Sequence, residues 1–388
     1  MIEMKLASEY KDKFNQEIAP YIATLGYNEQ FTISDPNFKI ISNLDFSDFS
    51  LTDLHLKTNI EHIRFKNCRF HNLINEGLMI DMEFIECRFN DIKLHEVSMG
   101  MSFINCSIGK FTINDSDVIN SILVKNTNNK DKAIGTLEID NCTFKNNFTI
   151  TNIEIHFLTI CNTDFEKILD FNNVTVHEEC SFEEIKFKDL ALFDKCTFDA
   201  NVLFKYVVFE SFSHFRGSTF NNGLDLDYSS SKQEMNFHGI EGLEKYSSKN
   251  NTSQETYRII KNQFEKLGNR IESNKYHSLE LKKRQNNLPF CSLDYVVLFF
   301  HWISSNHSKN WLFALFWILV VSFCTNLFVG NNTIDFSFDG WDNIFKYINI
   351  LSKLEDFNNS YLVMTLNKLS LGYLYYQFLT AVRKDTRK

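Results

Sequence analysis

Cysteine placement constrains this chain more than any other feature. Cys68, Cys87 and Cys106 lie 19 residues apart, Cys142, Cys161 and Cys180 repeat the interval, and Cys196 follows after 16. Spacing that regular marks a repeat whose units stack on their neighbours. The cysteines sit in a recurring phrase: Phe65-x-x-Cys68-x-Phe70, Phe84-x-x-Cys87-x-Phe89, Phe103-x-x-Cys106-x-Ile108, Ile139-x-x-Cys142-x-Phe144 and Phe193-x-x-Cys196-x-Phe198. Phe215-x-x-Ser218-x-Phe220 closes the series. A shorter period runs within it, since Phe103, Ile108, Ile113, Val118 and Leu123 are five apart. A period of five fits neither a helix nor a flat strand.

An inward-pointing apolar residue every five, four times per turn of about 20, describes a square, right-handed β-helix whose coils hydrogen-bond to one another. The 39 phenylalanines and 3 prolines agree, because stacked coils consume large apolar side chains and need every backbone N–H. On these residues the sequence resembles the pentapeptide-repeat family, with Phe or Ile at many interior positions and cysteine at the alternate small one. The register slips near residues 126–133, where NTNNKDK reads as a loop inserted in one coil. About nine coils are expected over 41–228, making a rod of about 45 Å. Residues 1–40, helical in character over 5–30, are the expected N-terminal cap.

The cysteines do not read as a metal site. Zinc ligands come in pairs two to four residues apart that close on one ion, whereas these occur once per coil. They are expected as small apolar fillers, interior and unpaired. The chain has no G-x-S-x-G, Walker, dinucleotide-binding or H-E-x-x-H pattern, so no catalytic residue, cofactor or metal is expected.

The pattern changes after Tyr228. Residues 229–252, polar and glycine-containing, read as a linker with a short structured middle. Tyr257, Ile260, Phe264, Leu267 and Ile271 then recur at three and four residues, which predicts one amphipathic connector helix over 253–288, about 50 Å long. Pro289 ends it. Phe290 to Ile303 holds a single charge, Asp294, and is too short to span a bilayer, so it reads as an interfacial helix. His301 and His307 flank it and are expected to touch head groups.

Residues 289–388 read as a transmembrane, pore-like domain. Trp311 to Gly330 is 20 residues without a charge and matches a membrane span. A second span is expected over 361–382, although Asn367 and Lys368 interrupt it. Between them, residues 337–357 form an amphipathic segment too short and too charged to cross alone. It is either a re-entrant pore loop, with Asp339, Gly340 and Trp341 at its start, or a plain external helix. Lys282, Lys283 and Arg284 precede the first span and Arg383, Lys384, Arg387 and Lys388 follow the second, while residues 331–360 hold five acids and two lysines. That bias puts both termini in the cytosol of a multi-pass inner-membrane protein. The N-terminus has no apolar h-region, so no cleavable signal is expected. Acidic residues exceed basic ones by 14 in residues 1–250, and basic exceed acidic by five thereafter, giving the net charge of −9.

A second resemblance bears on function. The linker pattern at Tyr257, Arg258, Phe264, Gly268, Asn269, Glu272, Tyr276 and Glu280 and the tail pattern at Tyr375, Tyr376, Gln377, Ala381, Arg383 and Lys384 look like those of certain bacterial membrane proteins. These join pentapeptide repeats to a two-helix, potassium-channel-like pore module. The resemblance implies a gated, ion-conducting homo-oligomer in membrane lipid, with a tetramer as the expected count. In it Tyr257, Arg258, Phe264 and Tyr276 belong to the gating connector. The chain departs from potassium channels in lacking T-V-G-Y-G, the sequence whose carbonyl ring strips water from potassium. Thr365, Lys368, Gly372 and Tyr375 fall on one helix face at spacings of three and four and are the pore-lining candidates. A charge inside a span is costly and usually meets water or a partner; the alternative is that Lys368 snorkels to the interface.

The leading expectation is a membrane effector in which a cytosolic β-helical sensor controls an ion channel. By analogy of build alone, it resembles effectors that depolarise the membrane in bacterial anti-phage defence. Its sensor would read a cytosolic ligand or partner protein, with a nucleotide or oligonucleotide among the candidates. The competing expectation is a membrane-anchored interaction protein, either an acidic DNA mimic or a scaffold, without conductance.

Overall fold

Parallel strand pairing builds the first half of the chain. Among the described residues, a sheet of 11 strands and another of 16 make up a β-solenoid of about eight turns. Neighbouring strands among the described residues run parallel except for one antiparallel pair at the start, Phe31–Asp35 with Phe38–Ser42. The computed structural model describes residues 5–6, 31–35, 38–42, 44–50, 62–76, 81–127, 132–244, 251–290, 292–329 and 338–386. It divides into two compact units, Met1–Thr256 and Tyr257–Lys388.

Coil length is set at the corners. Phe84 pairs with Phe103, Phe103 with Val124, Ile150 with Phe171, and Phe171 with Phe193. The repeat therefore grows from 19 residues to 21 and then 22. The step from Val124 to Ile150 is longer and takes up the inserted NTNNKDK. From Phe171 onward the true unit is a half-coil of 11 residues: Phe171, Phe182, Phe193, Phe204, Phe215, Leu226 and Phe237 are all buried. Two residues after each comes a backbone with positive φ, namely Asn173, Glu184, Lys195, Tyr206, Gly217, Tyr228 and Gly239. Two steps of five plus one left-handed corner residue give 11. Earlier corners favour asparagine, at Asn67, Asn105, Asn141, Asn152 and Asn162, whose short polar side chain tolerates that conformation. The same side chains link successive coils, with Asn162 Nδ2 donating to Asp140 Oδ1 at 2.9 Å and Asn173 Nδ2 to Asn152 Oδ1 at 2.9 Å.

Stacked phenylalanines fill the interior. Phe65 stacks on Phe84 at 5.2 Å and Phe84 on Phe103 at 5.1 Å. Further along, Phe182 stacks on Phe204 at 4.6 Å, and Phe193 on Phe215 at 5.0 Å. Such pairs contribute about 0.5–1.5 kcal/mol each beyond the area they bury.

Cysteine occupies the small interior place beside the corner and adds a hydrogen bond. Cys106 Sγ donates to the Phe84 carbonyl one coil back at 3.3 Å, Cys142 to Ile113 at 3.4 Å and Cys196 to Phe171 at 3.4 Å. Ser218 fills the equivalent place and donates to the Phe193 carbonyl at 2.6 Å. Burial pushes the Cys142 and Cys196 thiols up to about 12. Cys161 departs from the ladder despite its matching interval. It is only partly buried, directly before the corner residue Asn162, and Thr163 is the buried residue beyond the corner. Its interval of 19 does not match a coil that has lengthened here to 21.

Both ends differ from expectation. Within the stretch expected as a helical cap, Lys5–Leu6, Phe31–Asp35 and Phe38–Ser42 are strands, and Lys5–Leu6 pairs with Leu44–Asp45; the remainder of 5–30 lies outside the described residues. The expected linker instead continues the ladder, since Ser230–Ser231 and Met235–Asn236 pair with the preceding coil and Phe237, Ile240 and Leu243 are buried. The last coil is closed by side chains. Thr252 Oγ1 accepts the Leu224 N–H at 3.1 Å, and Thr256 Oγ1 accepts the Leu226 N–H at 2.8 Å. Unpaired donors that an open coil would present are thereby satisfied.

Helices follow: α1 (Gln254–Lys266), α2 (Arg270–Asn287), α3 (Leu293–Ser305), α4 (Trp311–Val329), α5 (Phe338–Lys346) and, after a single 3-10 turn at Leu354–Phe357, α6 (Tyr361–Thr386).

Candidate functional site

The expected continuous connector is two helices folded back on each other. Gly268, with φ of 73°, breaks the helix. The left-handed backbone there favours glycine, and Asn269 caps α2 by accepting the Glu272 N–H at 3.2 Å. Three contacts close the hairpin. Phe264 stacks on Tyr276 with ring centroids 5.5 Å apart, Arg258 Nε meets Glu280 Oε1 at 3.0 Å, and Lys261 Nζ meets Glu280 Oε2 at 3.0 Å. The first part of the i, i+3/i+4 stripe, Tyr257, Ile260 and Phe264, is buried, whereas Leu267 and Ile271, on either side of the break, are exposed. Of the connector residues, Arg258, Phe264 and Tyr276 are brought together in this way, and Tyr257 is buried near the start of α1. Burial raises the Glu280 carboxyl, and hydrogen bonds from Arg258 and Lys261 outweigh it, so the group titrates below the usual carboxylate range. Glu280 is the residue on which the hairpin closes, and its place in the linker pattern was the only sequence signal for it.

α4 and α6 form the second element of the site. Ala314, Ile318, Ser322 and Thr325 are the buried face of α4, and Leu371 and Leu374 of α6 pack on Ile318. Polar contacts join α6 to α4, α3 to α6 and α4 to α3. Asn367 Nδ2 donates to Thr325 Oγ1 at 2.9 Å, Ser305 Oγ donates to Gln377 Oε1 at 3.1 Å, and Trp317 Nε1 donates to the Ile303 carbonyl at 2.9 Å. Asn367 and Gln377, two of the polar side chains that interrupt the apolar run of α6, thus meet partners in the same chain, while among the described residues the buried Ser322 hydroxyl of α4 meets none.

The outward surface is apolar. Leu312, Phe313, Leu315, Phe316, Leu319 and Phe328 of α4 are exposed, as are Leu293, Val297, Phe300 and Trp302 of α3 and Leu362, Leu366, Leu369 and Leu379 of α6. Among the described residues, Trp311–Val329 is the one helix long and apolar enough to cross a bilayer. The expected second span is a 26-residue helix, long enough but not apolar enough, since it carries Asn367, Lys368 and Gln377. α3 is an apolar helix of 13 residues.

Of the pore-lining candidates, Tyr375 packs against the cluster of Ile318, Leu371 and Leu374. Thr365 and Gly372 are exposed, Lys368 is half-buried, and a Cβ added at Gly372 would meet nothing within 4 Å. Tyr375 is engaged within the chain, its hydroxyl donating to the Ile348 carbonyl at 3.0 Å. Asp339, Gly340 and Trp341 fall in the first turn of α5, where Trp341 is exposed and 6.2 Å from the Phe345 ring. His301 and His307, expected at head groups, face each other instead with their Nδ1 atoms 3.2 Å apart. Burial pushes both down to about 4. Among the described residues, no group of three or more His, Cys, Asp and Glu is placed to hold a metal ion.

No curated protein and no solved structure matches this chain. Residues 182–230 match the family of pentapeptide repeats (9 copies), the stretch in which the 11-residue half-coils are most regular, so the solenoid of this chain carries pentapeptide repeats.

Proposed function

We propose that the chain is an oligomeric membrane channel in which a pentapeptide-repeat solenoid controls a bundle of α4 and α6 helices. The observation that carries this reading is the outward apolar surface of α3, α4 and α6 together with the polar pairing on their inner side. That is the inside-out arrangement a lipid environment demands, where polar groups must find partners within the protein. α4 suits lipid contact. α6 suits both roles, because its face away from α4 carries Thr365, Lys368 and Gly372, and two helices alone cannot enclose an aqueous path, so several copies are required. A tetramer with cytosolic termini is the arrangement we favour, given the basic residues at both inner ends. Opening in a bacterial inner membrane would dissipate its potential, as in anti-phage effectors. The half-buried Lys368 would disfavour cations in the path.

The first test is flotation of the full chain with zwitterionic vesicles, with alkaline carbonate extraction of the floated fraction. Retention of the chain in the vesicles after extraction is expected; complete release would count against any membrane-spanning role. The competing reading, an anchored scaffold, requires insertion without current.

A further inference from the structure

Where α2 and α6 meet, their ends line a cleft of about 570 Å³. Arg270 opens α2, and Arg383 and Lys384 close α6. All three line the cleft, with Glu265 as its one carboxylate. That carboxylate accepts the Ser273 hydroxyl at 3.2 Å, and among the described residues no ion pair engages Arg270, Arg383 or Lys384. The backbone is fixed, since Asn274 Nδ2 donates to the Lys384 carbonyl at 3.1 Å and so ties the end of α6 to α2. Burial, and after it the nearby Lys261, hold the Lys384 amine below its ordinary range. A surplus of two positive charges converging on one concave site selects for an anion with several acceptor oxygens.

We propose that this cleft binds a phosphate group, and that its occupant is the headgroup of an acidic phospholipid. Resting on the membrane reading above, the lipid source is favoured because the cleft begins where the apolar part of α6 ends and is walled by Tyr376 and Thr380 on that side. Tyrosine at head-group level and clustered cations beyond it are the features by which membrane proteins engage anionic leaflets. A bound headgroup would join the hairpin to the end of α6 and so make coupling between them depend on lipid.

The test uses the full chain in nonionic detergent, titrated separately with short-chain phosphatidylglycerol, short-chain phosphatidylcholine and inorganic phosphate, and read by native mass spectrometry. Phosphatidylglycerol should bind at least about tenfold more tightly than phosphatidylcholine, and Arg270→Gln with Lys384→Gln should weaken it by about tenfold or more. Lys309→Gln, a membrane-proximal cation outside the cleft, should leave it unchanged. If the double variant does not fold, the exposed Arg383→Gln alone serves and should lose several-fold. Inorganic phosphate binding as tightly as the lipid, with the same variant losses, supports the phosphate site and makes its source soluble. Equal affinity for both lipids, or loss equally in Lys309→Gln, overturns the proposal. Because binding is read in detergent, its failure is distinct from failure of the flotation test.

Discussion

Asn367 donates a buried hydrogen bond of 2.9 Å to Thr325, tying the second turn of α6 to the last turns of α4. In a membrane such a bond contributes about 0.6 kcal/mol on average and up to about 1.7. Thr325→Val and Asn367→Leu should each lower thermal stability in detergent. The double variant should lose less than the two single losses combined, by a coupling energy in that range. Strict additivity would show that the two side chains do not meet.

The hairpin separates two geometries cleanly. Spin labels at Asn262 and Arg284, 22 residues apart, would lie about 33 Å apart along one continuous helix. The folded-back arrangement places them within about 20 Å, as the Lys261–Glu280 contact requires. A distance distribution centred near the longer value would refute the hairpin.

Glu280 gives the hairpin a defined acid sensitivity. Its folded pKa is depressed, so its stabilisation is fully present above the unfolded carboxylate value and is lost as pH falls through the lower folded one. Glu280→Gln should reduce stability at neutral pH and flatten the decline of stability as pH falls below the ordinary glutamate value. An unchanged acid limb in the variant would remove Glu280 from that role.

Cysteines of the solenoid should behave as buried fillers. Cys106 and Cys142 should label slowly with a thiol reagent in the folded protein and fully in denaturant, while Cys324, exposed on α4, should label first in detergent. Cys106→Ser should be tolerated better than Cys106→Leu, which overfills the coil at a cost of about 1–3 kcal/mol. Ser218 already shows a hydroxyl in the equivalent place. Rapid labelling of Cys106 in native protein would contradict the packing.

The solenoid was legible because its signal is carried in the side chains themselves: Phe84, Phe103 and their equivalents must point inward in every coil. Coil length was not legible in the same way. It depends on corner residues such as Glu184 and Lys195, whose identities do not announce a positive φ, so a strict four-by-five coil was expected and Cys161 was placed inside. The fold-back at Gly268 was hidden for a related reason. Its apolar stripe, Tyr257 to Phe264, is equally compatible with a straight helix, and only the distant Tyr276 and Glu280 reveal what the stripe faces. Asn367 read as an interruption of a span because its partner, Thr325, lies 42 residues away.

Current through a reconstituted bilayer tests the channel reading most directly. Purified full-length protein, first shown by flotation to be inserted, is recorded in planar membranes under an asymmetric potassium chloride gradient. Discrete unitary steps absent from protein-free membranes are expected, and Lys368→Glu should move the reversal potential toward that of potassium. Inserted protein that gives no unitary current across the accessible voltages and lipid compositions would contradict the channel and leave an anchored scaffold.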